Sequence, residues 1–255
     1  MQLMNNLIEL DLHPKDSSIS HKVISVKKLC FKRFCQRSIE RTREKLDQKR
    51  AEGYSAYSNP SICSRSRYLL TSENVIEVQG PYTSGEVEIV AIVGGGEVLI
   101  SVGSDHNDRS VEDMWSSIIG KIYDSAKTKQ MVPAVIAKEA WRYEEVKDHW
   151  DSLNLRSFVT VSGKRIPYQS FALSELVPLE YHFKSDPGLK GDGVVLFGGT
   201  SDMLATVPPD VYQFKPSIKP FSVYPQDFYF EVHDPVLHRT IFHYYTVQSV
   251  EEKES

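Results

Sequence analysis

Residues 86–103, EVEIVAIVGGGEVLISVG, place two apolar runs on either side of three consecutive glycines. Two strand-length stretches rich in Val and Ile, joined by a Gly turn, read as a β-hairpin. Any fold for this chain has to be built around that pair of strands. Further β signals follow in YLLT (68–71), VIEV (75–78), FVTVSG (158–163), GVVLFGG (193–199), FYFEV (228–232) and TIFHYYTV (240–247). KVISVKKLCF (22–31) is another strand candidate. Helices are predicted at 32–52, 108–125 and 138–150, the first stopped by Gly53. Residues 1–20 are weakly patterned and 55–66 are turn-rich. Pro208, Pro209, Pro216, Pro220 and Pro225 mark a long irregular connection, a lid or an insertion. The expected organisation is a strand and a charged helix over 1–54, packed on a β-rich domain over 55–250.

The chain has 255 residues, 40% apolar and 25% charged, with a formal net charge of -4. That length supports one large core, and the charge gives no general attraction to nucleic acid or anionic lipid. The helix at 32–52 is dense in Lys and Arg, but Glu40, Glu44, Asp47 and Glu52 are interleaved with them. It reads as a solvated face with i,i+4 pairs and not as a nucleic-acid surface. No apolar run approaches the roughly 20 residues that span a bilayer. The start, MQLMNNLIELDLHPKD, has neither the positive opening nor the clean apolar stretch of a signal peptide. Cys30, Cys35 and Cys63 cannot all pair within the chain, and none forms a Cys-x-x-Cys spacing. The expectation is a cytoplasmic or nuclear protein with reduced thiols.

On a strand, Glu86 and Glu88 point to one face because the side-chain period is two. Two such carboxylates repel unless they are solvated or share a cation. The short hairpin lets Asp105, just past the next strand, approach them. Three hard oxygen ligands suit Mg2+, or Mn2+ or Ca2+. The other reading of the same residues is an exposed strand with alternating charge. Arg109 lies four residues after Asp105, in the first turn of the expected helix, where its guanidinium can grip a substrate carboxylate or merely pair with Asp105 or Glu112. Lys127 and Lys129 are both candidates for a second positive charge. Gly198-Gly199-Thr200 ends a buried-looking strand, so that backbone can approach a ligand closely and Thr200 can offer a hydroxyl. His106 sits beside the expected site.

The segments TSGEVE (83–88), GSDHNDR (103–109), TKQMVP (128–133), HWDSLNLRS (149–157), FGGT (197–200) and HDPVLHRTIFHYYTV (233–247) resemble, in this order, the mostly prokaryotic family called domain of unknown function 2848. The same landmarks resemble a compressed fumarylacetoacetate hydrolase superfamily pattern: Glu-x-Glu, then Asp four residues before Arg, then Lys, then a Gly-Thr strand tip. Glu86, Glu88, Asp105, Arg109 and Thr200 fall at matching positions, with Lys129 or Lys127 at the lysine. The resemblance implies an α+β fold with a mixed, rolled β-sheet core and peripheral helices, like the C-terminal part of those hydrolases. It also implies a homodimer and a small carboxylate-bearing substrate. The implied activity is hydrolase or lyase chemistry on an oxo acid, through an enolate stabilised by a metal on Glu86, Glu88 and Asp105. Arg109 and the lysine would orient the substrate, and Thr200 would hydrogen-bond one of its oxygens.

The chain departs from that pattern in several places. One hairpin replaces a longer segment between Glu88 and Asp105. The superfamily's water-activating His-Glu pair cannot be placed, so the base is either missing or supplied by His106 or another residue. His238 stands where the related sequences carry Gly in DPVLGR. The missing pair keeps a second function open, a non-catalytic relative serving as a binding or assembly module.

Overall fold

The computed structural model describes residues 6–15, 18–51, 61–111, 129–161, 163–207 and 225–250. In chain order its strands are β1 (Asn6–Leu12), β2 (Ser20–Val26), β3 (Lys28–Arg33), β4 (Ser61–Arg65), β5 (Leu70–Thr71), β6 (Val75–Val78), β7 (Thr83–Ser84), β8 (Val87–Gly94) and β9 (Glu97–Asp105). They continue with β10 (Asn107–Asp108), β11 (Ala134–Ile136), β12 (Glu139–Arg142), β13 (Asn154–Val161), β14 (Lys164–Ala172), β15 (Val194–Phe197), β16 (Asp227–Asp234) and β17 (Arg239–Ser249). Helix α1 spans Ile39–Ala51, and a shorter helix spans Leu179–Ser185.

β8 and β9 pair antiparallel from Gly94–Glu97 to Val87–Ser104. Gly95 and Gly96 both take positive φ, 61° and 80°. That backbone matches the twist of the two strands, and glycine adopts it without strain. The hairpin lies inside a ten-stranded mixed sheet ordered β2-β1-β12-β9-β8-β15-β3-β4, with β11 and β5 attached beside β9. A second sheet, β14-β13-β16-β17-β6, covers one face of it. Val87, Ile89, Ala91, Ile100 and Val102 pack toward that second sheet, against Phe228, Phe230 and Tyr245. Val90, Ile92 and Leu99 pack on the opposite side with Leu29, Phe31 and Phe197. β8 is therefore buried on both faces, which excludes an exposed strand of alternating charge. The whole is a rolled, mixed α+β fold with its helices at the periphery.

Several elements differ from the sequence reading. Residues 1–20 contain β1, where Ile8, Leu10 and Leu12 are buried at alternate positions. The strand expected at 22–31 is two, β2 and β3, separated at Lys27, whose N–H turns to the Gly193 carbonyl. The helix expected from 32 begins at Ile39, because Lys32 and Arg33 end β3 and Phe34 takes φ 55°. Ser38 then caps it, its Oγ accepting the Arg41 N–H at 3.3 Å. Residues 61–65 of the turn-rich stretch form β4. The helix expected at 138–150 opens as β12, because Ala140 and Trp141 are buried in the sheet; short helical turns follow it. β14 was not anticipated. Glu112 and Lys127, residues 112–125 of the expected helix, and all but Pro225 of the proline-rich prolines lie outside the described residues.

The β16–β17 turn shows why position 238 suits a glycine. Asp234 Oδ1 accepts the Val236 and Leu237 N–H groups at 3.0 and 3.1 Å, and His238 takes φ 52°. A side chain held in this left-handed region costs about 1 kcal/mol. His238→Gly is expected to raise the unfolding free energy by about 0.5–1 kcal/mol in urea titrations. A clear loss of stability would refute strain at this turn.

Candidate metal centre

Glu86 directly precedes β8, and its carbonyl accepts the Asp105 N–H at 2.9 Å. Glu88 lies opposite Gly103. Strand alternation then turns Glu86, Glu88 and Asp105 to one face of the hairpin. Oxygens from the three carboxylates lie within 4.8 Å of one another. Gly103 is required by the close packing here, since a Cβ on it would meet Phe197 Cε1 at 2.6 Å and the Val135 carbonyl oxygen at 2.7 Å.

Each carboxylate is braced. Glu88 is 2% exposed, and its Oε2 accepts the Gly199 N–H at 2.8 Å. Arg109 Nη2 donates to Glu86 Oε1 at 2.8 Å, and its Nε donates to Ser84 Oγ at 2.7 Å. Asp105 receives Arg65 on one oxygen and Lys129 on the other. Burial opposes ionisation of Asp105, but Arg65 and Lys129 outweigh it and draw the carboxyl down to about 2. Burial, with the neighbouring Asp105 charge, pushes Glu88 well above the usual carboxylate range. Arg109 bonds to Glu86, and Arg65 and Lys129 bond to Asp105, while the bond given for Glu88 comes from a backbone N–H, so Glu88 is the acid whose buried charge a bound cation would relieve.

Arg65 was missed from sequence. It lies on β4, in register with Leu29 of β3, and its guanidinium carbon is 3.6 Å from the Phe31 ring centroid. Its Nη1 donates to the Lys129 carbonyl at 3.3 Å. It therefore positions both Asp105 and the segment carrying Lys129. Nothing in SICSR marks this role, because the contact depends on how β3 and β4 pair. Lys129, one of the two lysine candidates, reaches Asp105; Lys127 lies outside the described residues.

Arg109 is directed at Glu86, a carboxylate of the cluster, with only 3% of its side chain exposed. Thr200 sits one residue beyond the Gly199 N–H that holds Glu88, and Gln36 Nε2 donates to its carbonyl at 3.1 Å. His106 turns the other way. Its Nδ1 meets the Tyr245 hydroxyl at 2.8 Å, and its Nε2 is buried without a hydrogen-bond partner. Burial, then Arg109, lowers the imidazole to about 3. No histidine joins the acidic cluster among the described residues.

The donor set is all oxygen, and its spacing matches ligands held about 2.0–2.6 Å from one hard divalent ion. Carboxylates keep spare lone pairs after the hydrogen bonds given above, so the bracing groups can act as an outer shell that orients ligands. Mg2+, Mn2+ and Ca2+ all fit this chemistry.

Solved structures share the fold. A putative fumarylpyruvate hydrolase from Burkholderia cenocepacia is 11% identical, with 96% of each chain covered and a TM-score of 0.57. Fumarylpyruvate hydrolase from Pseudomonas aeruginosa in complex with Mn2+ and pyruvate is 15% identical, covering 96% of this chain and 97% of that one, with a TM-score of 0.51. A 2-keto-3-deoxy-D-arabinonate dehydratase complexed with magnesium and 2,5-dioxopentanoate is 12% identical, covering 91% and 77%, with a TM-score of 0.51. Among curated proteins none matches the chain. No helix of the described residues is long and apolar enough to cross a membrane. The profile described as protein of unknown function (DUF2848) matches residues 55–245, and the chain belongs to that family, on the fold of the fumarylacetoacetate hydrolase superfamily.

Proposed function

We propose that this protein is a divalent-metal-dependent enzyme acting on a small oxo acid, with Glu86, Glu88 and Asp105 as the metal ligands. The observation that carries this reading is the convergence of three carboxylates, two of them almost fully buried, at one end of the central hairpin. A bound ion would supply Lewis-acid polarisation of the substrate's oxo and carboxylate oxygens, and stabilise enolate charge. The chain's own residues do the rest. Arg65 and Lys129 hold Asp105, Arg109 holds Glu86, and the Gly199 N–H holds Glu88, so the ligands are organised before substrate arrives. Thr200 offers a hydroxyl to a substrate oxygen beside Glu88. The Mn2+–pyruvate and magnesium–dioxopentanoate complexes of similar folds support a small carboxylate-bearing substrate.

A non-catalytic binding module is favoured by one observation, the sealed position of His106. Melting curves with Mg2+ and Mn2+, followed by a panel of acylpyruvates, β-diketo acids and oxaloacetate monitored by enol absorbance, separate the two. Stabilisation with metal-dependent turnover is the expected result. Stabilisation without turnover across the panel would favour the module, and no response to metal would sink the enzyme reading and leave a metal-free module.

A further inference from the structure

Gln169, on β14, is 1% exposed. Its single carboxamide links the two arms of the centre. Gln169 Oε1 accepts the Val87 N–H at 2.9 Å and the Ser157 hydroxyl at 3.2 Å. Gln169 Nε2 donates to Thr200 Oγ1 and to the Ser201 carbonyl, both at 2.9 Å. Val87 stands between Glu86 and Glu88, so one side chain joins the acidic strand to the Gly-Gly-Thr tip.

The orientation of this amide is fixed by its neighbours. A backbone N–H only donates and a carbonyl only accepts, so the oxygen faces Val87 and the nitrogen faces Ser201. Thr200 Oγ1 must then be an acceptor toward Gln169. Its proton is left with one other contact among the described residues, the Ser201 carbonyl at 3.4 Å. That is long for an O–H···O bond, and the same carbonyl is already served by Gln169.

We propose that Gln169 is a positioning residue that commits the Thr200 hydroxyl to donate to a ligand oxygen, in register with Glu86 and Glu88. The group accepted at Thr200 is then an acceptor oxygen with no proton of its own to give there, as a carboxylate or an enolate presents. This rests on the oxo-acid reading and sharpens it. Without Gln169 the Ser201 carbonyl loses its donor and the Thr200 proton turns to it, away from the ligand.

Oxalate, which presents two adjacent carboxylates, is a suitable probe. Mn2+ binding is followed by electron paramagnetic resonance, and oxalate binding to the Mn2+-loaded protein by calorimetry. Thr200→Val and Gln169→Met are each expected to weaken oxalate about 10- to 100-fold, the value of a hydrogen bond to a charged group. Mn2+ affinity should shift by less than about threefold, because the hydrogen bonds of both side chains go to groups other than the cluster carboxylates. The double variant should bind oxalate no more weakly than Thr200→Val alone, since Gln169 then has no hydroxyl to aim. Thr200→Ser, which keeps the hydroxyl, should stay close to wild type. If Gln169→Met does not fold, Gln169→Asn, too short to span Val87 and Thr200, is expected to show the same split. Oxalate binding undiminished in the Gln169 variant, or losses that simply add in the double variant, would overturn the inference alone. A wild-type protein that takes up no Mn2+ would overturn the oxo-acid reading and the inference together.

Discussion

Replacing Arg65 with methionine is expected to remove about 3–5 kcal/mol of unfolding free energy, the usual cost of stripping one partner from a buried ion pair. The Arg65 side chain is 0% exposed and that of Asp105 is 1% exposed. Without the guanidinium, Asp105 keeps Lys129 but loses one of the two cations that draw it down. Methionine still covers the Phe31 ring, so the loss is electrostatic and not a cavity. A metal ion on Asp105 would restore part of the missing charge. The deficit in denaturant titrations should therefore be smaller with saturating Mn2+ than without it. A midpoint and slope unchanged from wild type would dispose of this role for Arg65.

Glu88→Gln is expected to act with the opposite sign on the metal-free protein. Glu88 pays for burial and for the nearby charge of Asp105, and glutamine is free of both while still accepting the Gly199 N–H. The gain should be about 0.5–2 kcal/mol, typical of relieving strain at a functional site. The same change removes a ligand. At a metal concentration 100 times its dissociation constant the wild type should gain about 2.7 kcal/mol, and the variant little of it. Melting temperatures with and without Mn2+ measure both effects at once. A variant that keeps the full Mn2+ shift would show that Glu88 is not a ligand.

The part of the centre that was legible in sequence is the part made by local geometry. Strand period two places Glu86 and Glu88 together, and a tight Gly turn brings Asp105 back beside them, so three residues within one hairpin suffice. Arg65 and Gln169 were invisible because they enter through pairings across the fold, β3 with β4 and the second sheet over β8. That Lys129 reaches Asp105 likewise depends on the chain path. In the fold, the alternating Ile8, Leu10 and Leu12 of β1 carried a readable signal that the polar surroundings obscured. Residues 138–150 were misread because short apolar stretches such as EAWR fit helix and strand equally well. His106 looked like a candidate base by proximity in sequence, but the next residue along a strand faces the other way, and there it meets Tyr245.

The positive-φ glycines at the hairpin turn have a consequence for how the centre comes together during folding. Hairpins of this kind close on the order of microseconds, well before distant strands dock. The three acids would then be gathered early, while Arg65 and Lys129 still have to arrive. The turn also decides which faces they share. A slip of one residue between β8 and β9 would turn one strand's side chains over and send its acids into the apolar core while its apolar neighbours took their place. Gly95 and Gly96, far from the carboxylates at the other end of the strands, are thus the point at which assembly of the centre in the correct register is decided.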